Sequence, residues 1–188
     1  MPTRLAPPVR RLSRLGLAAL LLVAALLVAG CGEEEGLDVA EGEPVELGEL
    51  RYNVQLTRFL NPDDPEDEAY LRGAPQASPD EEYLAVFMTI ENEGDESAAL
   101  PGEMTIRDTR DNIYEPLPSR SEYALELGST IPAGGEVPRP DTPAASGPIK
   151  GAMVLFVVNG TVTENRPIEL EIPFPTQTDE PGRVELDI

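Results

Sequence analysis

The sequence predicts an all-β fold, a two-sheet β-sandwich of about seven strands standing behind a cleaved export signal and a disordered acidic tether. Three observations predict it. Apolar residues recur with a period of two over several short segments, no stretch of any length shows a 3.6-residue apolar period, and Gly, Pro, Asn and Asp punctuate the segments at short intervals. With the first 30 residues set aside, Pro and Gly occupy 31 of 158 positions. That is below the ~25–30% that marks a chain too rich in breakers to pack, so a core is expected.

Residues 1–30 read as the export signal. Arg4, Arg10, Arg11 and Arg14 precede a stretch, residues 15–30, built only of Leu, Ala, Val and Gly, and the first acidic residue is Glu33. A basic start keeps to the cytoplasmic side, and this apolar run is shorter than the ~20 residues a membrane-spanning helix needs. The run closes in Val28, Ala29, Gly30 and Cys31, which resembles the lipobox of bacterial lipoproteins. The resemblance implies a diacylglyceryl anchor on Cys31 as the mature N-terminus, holding the protein on the outer face of the cell membrane. Cys31 is the only Cys, so a disulfide has no partner within the chain. An uncleaved N-terminal anchor is the alternative, and both readings place the rest of the chain outside the cytoplasm.

Residues 31–48 follow as a lipidated Cys and flexible tether. Glu33, Glu34, Glu35, Asp38, Glu41, Glu43 and Glu46 are interspersed with few large apolar side chains, which cannot offset the entropy of ordering. Such a tether spans roughly 20–25 Å by random-coil scaling.

The sandwich is expected over residues 49–173. Leu50, Tyr52, Val54 and Leu56 alternate with Arg51, Asn53, Gln55 and Thr57, the signature of a half-buried strand. Residues 61–80 hold Asp63, Asp64, Glu66, Asp67 and Glu68 among four Pro and form a long acidic loop. Residues 83–91 are apolar on both faces, as in a central strand. Met104, Ile106 and Asp108 lead through a turn at Arg110, Asp111 and Asn112 to Ile113 and Tyr114, a hairpin. Tyr123, Leu125 and Leu127 alternate as a strand, and residues 128–148, with five Pro and four Gly, read as a loop. Residues 153–158 form the most apolar strand and pair, across a long turn, with Ile168, Leu170 and Ile172 as a hairpin. Residues 174–188 are a C-terminal tail or an extra edge strand.

The order of these segments resembles a known family. YLAVFMTIENEGD at residues 83–95, MTIRDTRDNIY at 104–114, IPAGG at 131–135 and KGAMVLFVV at 150–158 are similar to the immunoglobulin-like domain of Gram-positive lipoproteins known as a domain of unknown function. Two departures stand out: about fifteen residues separate Gly135 from Gly151, and Asp111 is followed by Asn112 where the family has Gly. The resemblance implies an immunoglobulin-like sandwich at the cell surface with a binding or structural role. It supplies no catalytic residues.

Composition closes off other functions. The chain of 188 residues has no His and no Trp, which removes catalytic triads, His-ligated zinc or haem and an imidazole base. Removing residues 1–30 leaves 10 basic and 35 acidic side chains and a formal charge of −25, which argues against nucleic acid as a partner. The expectation is a non-catalytic binding or protein-interaction module that needs no cofactor, anchored in the membrane, with an unidentified protein partner contacting the loops at residues 61–80 and 128–148. Two alternatives stay open. Asp63, Asp64, Glu66, Asp67 and Glu68 could converge with Asp108 and Asp111 to ligate Ca²⁺ through hard oxygens, although Pro65 interrupts the loop and no EF-hand spacing is present. A pair of carboxylates could also serve a cell-wall glycan enzyme, but no Trp is available to stack on sugar. Met88, Met104 and Met153 fit core positions better than a Cu(I) site, and Asn159 with Gly160 reads as a turn.

Overall fold

A computed structural model of the chain describes residues 37–174 and 180–188. The export signal, with Val28, Ala29, Gly30 and Cys31, lies outside the described residues. In chain order the elements are β1 (Asp38–Ala40), β2 (Pro44–Leu47), β3 (Leu50–Leu60), β4 (Glu81–Asn92), β5 (Ala98–Ala99), β6 (Thr105–Arg107), β7 (Ile113–Tyr114), β8 (Thr130–Ile131), β9 (Glu136–Val137), a helical turn α1 (Pro143–Ser146), β10 (Ala152–Asn159), a 3₁₀ turn η1 (Val162–Glu164), β11 (Glu169–Ile172) and β12 (Gly182–Glu185). One sheet runs β1-β12-β11-β6-β7. The other runs β10-β4-β3-β2, with β9 beside the end of β4, and β5 pairs β8 as a small third ladder. All pairs are antiparallel except β1 with β12.

The alternation of β3 and the two-faced apolar sequence of β4 place the core. Leu50, Tyr52, Val54, Val86, Met88, Ile90 and Phe156 meet Ile106, Leu170, Ile172 and Val184 of the opposite sheet in one buried cluster. The other face of β4 and β10 is buried too. Tyr83, Ala85, Phe87, Met153 and Leu155 pack under Leu60 and Tyr70, so residues 61–80 form a cover rather than a free loop. Tyr70 meets the Phe87 ring edge-on at 5.4 Å, Tyr83 donates its hydroxyl to Pro75 O at 2.7 Å and accepts from Ala77 N at 2.9 Å, and Ser121 donates to Ala69 O. Gly151 is required where β10 begins. Its φ is +128°, and a Cβ there would stand 2.9 Å from Met88 N.

The outer face of the first sheet is polar. Across it Asp38, Arg183, Glu171, Arg107 and Asp111 form a ladder of ion pairs at 3.3, 3.6, 3.0 and 3.6 Å. Glu171 sits between the two guanidiniums, and their shared carboxylate raises the pKa of Arg107. Glu169 lies directly opposite Glu185 on one side and Arg107 on the other, so the like-charge pair is offset by a neighbouring guanidinium.

Several expectations are corrected. Within the tether expected over residues 31–48, residues 38–40 and 44–47 are instead β1 and β2 of the sheets, with Val45 and Leu47 fully buried and Asp38, Glu43 and Glu46 facing outward. The C-terminal segment is neither tail nor edge: β12 lies between β1 and β11, so the sandwich extends beyond residues 49–173 on both sides and holds twelve short strands rather than about seven. Residues 153–158 and 168–172 do not form a hairpin. β10 and β11 lie in different sheets, with η1 making the crossing and burying Val162. Tyr123, Leu125 and Leu127 form no strand of their own, contacting β10 through a single bridge at Ala124. Residues 128–148 contain β8, β9 and α1.

On β3 the alternation breaks. A bulge between Val54 and Leu56 inserts one residue, which turns Leu56 outward to 36% exposure and buries Thr57 at 4%. The Thr57 hydroxyl has no hydrogen-bond partner. Leu50→Ala should therefore cost about 2–5 kcal/mol and Leu56→Ala under about 1 kcal/mol in denaturant unfolding, while Thr57→Val should be neutral or stabilising. Equal losses for the two Leu variants would show that the bulge is misplaced.

Candidate functional site

The two ends of the sandwich differ in kind. At one end the β6–β7 turn and the crossing at η1 meet at Asp108, only 3% exposed. Its Oδ1 accepts from Arg110 N at 2.9 Å and Asn112 N at 3.0 Å, and its Oδ2 accepts from Asn112 Nδ2 at 2.8 Å and Asn165 Nδ2 at 3.2 Å. Thr109 adds bonds from N and Oγ1 to Asn165 O. Asp111 takes φ +61°, a left-handed turn position that Asp tolerates, and this allows the turn to close into Asn112. Burial works against ionisation of Asp108, but the donors of Asn112, Arg110 and Asn165 outweigh it and hold the carboxyl below its ordinary range. The same carboxylate raises the pKa of the Tyr114 phenol, which burial already pushes up. Asp108 is thus a knot joining two loops, with every oxygen in use.

Asp67 plays the matching part for the acidic cover. It is 3% exposed, accepts from Asn61 N at 2.8 Å and forms an ion pair with Arg58. Asp63, Glu66 and Glu68 point to solvent and Asp64 is half-buried. Asp63 N donates to Asn61 Oδ1 and Glu66 N to Asp64 Oδ1, local turns that fix the loop. The seven residues expected to converge on Ca²⁺ are therefore divided between two places. Among the described residues no three acidic side chains are grouped to hold a metal ion. Met88, Met104 and Met153 are all buried in the core.

The opposite end carries a cleft of about 570 Å³, within the range of small-ligand and side-chain pockets. Leu50 and Leu100 form its floor, Ala99, Pro101, Pro173 and Phe174 its walls, and Glu49 and Glu103 stand at the rim; among the described residues no Lys or Arg lines it. Asn92 builds this end. Its side-chain amide donates to Glu96 O at 2.8 Å, Ile131 O at 3.0 Å and Pro132 O at 3.1 Å, and its Oδ1 accepts from Gly94 N, so one buried amide fastens the β4–β5 connection to β8. Sequence reading singled out none of the cleft residues. The available signal was a short one, Leu100 followed by Pro101 and Gly102, apolar side chain and turn together.

Among the described residues no helix is long and apolar enough to cross a membrane. No protein-family model and no curated protein matches the sequence. Solved structures do resemble the fold. The yjhA protein from Bacillus subtilis is 17% identical with a TM-score of 0.53, over 79% of this chain and 99% of that one. A Bacillus subtilis protein described as a "putative lipoprotein (ycdA)" is 16% identical with a TM-score of 0.50, over 79% of this chain and 38% of that one. These likenesses establish the β-sandwich and nothing finer.

Two outcomes are expected. Asp108→Ala should lower stability at pH 7 by about 2–3 kcal/mol, because several buried donors lose their acceptor. The folded pKa is depressed, so the contribution is complete above the unfolded value near ~3.9 and is lost as pH falls through the folded one. The gap between wild type and variant should narrow below about pH 4; a constant gap down to pH 2.5 would show that the neutral carboxyl does the same work. Millimolar Ca²⁺ should leave the melting temperature unchanged, and a rise would restore the calcium reading.

Proposed function

We propose that the protein is an exported lipoprotein, held by a diacylglyceryl group on Cys31 to the outer face of the bacterial cell membrane, whose sandwich serves as a non-catalytic module for binding a protein partner. The observation that carries this reading is the position of the only Cys. It closes the apolar run of residues 15–30 behind small residues and stands six positions before Leu37, where the described fold begins. Acyl chains on Cys31 would supply the membrane attachment. The likeness of the fold to a protein described as a "putative lipoprotein (ycdA)" agrees with this reading.

Binding is favoured over catalysis by how the polar groups are spent. Asp67 and Asp108, the buried acidic side chains, hold loops in place with hydrogen bonds and an ion pair. The chain offers no His to take a proton from a nucleophile. The strong negative charge favours a basic partner surface.

The test is the mass of the mature protein extracted from membranes. The N-terminal peptide should begin at Cys31 and carry two acyl chains, and Cys31→Ser should abolish both the acylation and the cleavage. A mature N-terminus elsewhere, or an unmodified Cys31, overturns the anchor.

A further inference from the structure

The cleft and Leu37, the first described residue, lie at the same end of the sandwich. Arg183 N donates to Leu37 O, Gly182 stands opposite Ile172, and Gly182 packs closely on Leu47 just before the β2–β3 turn. Leu37, Phe174 and Glu49 therefore share one end, and Phe174 and Glu49 line the cleft. From Cys31 to Leu37 a fully extended chain reaches only about 20 Å. That chain length limits how far Leu37 could stand from a lipid carried on Cys31.

We propose that this cleft receives an extended, basic and apolar juxtamembrane segment of an integral membrane protein. The inference rests on the lipid anchor proposed above. Three features choose the occupant. The floor and walls at Leu50, Leu100 and Phe174 take an apolar side chain. Glu49 and Glu103 at the rim, with no basic residue in the lining, attract a Lys or Arg and repel anionic lipid headgroups. The wall is also a strand edge: Leu100 N donates to Ser129 O and Ala98 stands opposite Ile131, so Ala99 between them turns its amide and carbonyl away from β8, toward the open side. A peptide main chain can pair with that edge, whereas an acyl chain cannot.

The experiment uses the full-length protein in its own cells, with a photoreactive benzophenone side chain at Gly102, where a Cβ meets nothing within 4 Å. The expected crosslink joins position 102 to an extracytoplasmic segment adjoining a membrane span and containing both basic and apolar residues. It should fall about tenfold with Glu49→Lys and Glu103→Lys together. It should also fall with Ala99→Pro, which removes the outward amide without touching charge, and a probe at Arg110, at the far end, should give none. Unchanged melting temperatures separate these losses from unfolding. Crosslinks only to lipid, equal crosslinking from Arg110, indifference to both variants, or no crosslink from an acylated protein each overturn the proposal. Mass analysis of the N-terminus in the same samples distinguishes the two readings: an unacylated protein that still crosslinks as described overturns the anchor alone.

Discussion

Strand β4 is apolar on both faces, and the architecture follows from the need to cover it twice. One face meets the opposite sheet through Val86, Met88 and Ile90, an ordinary sandwich contact. The other carries Tyr83, Ala85 and Phe87, with Met153 and Leu155 of β10 beside them. Leaving five such side chains in water would forfeit roughly 1.5–3 kcal/mol for each large one. The small β5–β8 ladder is not part of this cluster, and a segment without regular strands, residues 61–80, does the covering. Residues 61–80 can do so because Arg58, Tyr83 and Ser121 supply the polar anchors that an irregular backbone requires. Of the acidic side chains at residues 63–68, Asp63, Glu66 and Glu68 face solvent, Asp64 is half-buried and Asp67 is turned inward as an anchor.

A second constraint concerns the ends. A sandwich of short strands is joined by connections whose backbone groups find no ladder, and each end solves this with one buried polar side chain. Asp108 gathers the β6–β7 turn and the crossing at η1. Asn92 gathers the β4–β5 connection and β8. The first uses all of its oxygen acceptors internally and leaves a closed surface. The second holds an extended segment, residues 98–103, away from β3 and β11, and the gap between them is the cleft.

Charge is distributed to match. On the outer face of the first sheet two Arg side chains are shared among Asp38, Glu171 and Asp111, with Glu169 opposite Arg107. Exposed pairs of this kind contribute little stability individually. The chain as a whole carries a formal charge of −21, which favours encounters with basic surfaces.

The alternation in β3, the two-faced pattern of β4, the hairpin of β6 and β7 and the acidic segment over residues 61–80 were all legible in the sequence, because each is a local pattern of period two or a turn with its own chemistry. The expected export signal rests on the same kind of local pattern, the order of charge, apolar length and Cys31, but lies outside the described residues. What escaped was every feature whose cause lies far away in the chain. The bulge that buries Thr57 instead of Leu56 is imposed by pairing with β4. β1 and β2 look like a charged linker until β12 and β3 offer them edges, and β11 leaves β10 because a different sheet buries Leu170 and Ile172 better. Local patterns in the sequence were enough for the fold class. Only the tertiary structure decided which strands share a sheet and where the cleft opens, since long-range pairing is a competition among edges and apolar faces that no single segment can settle.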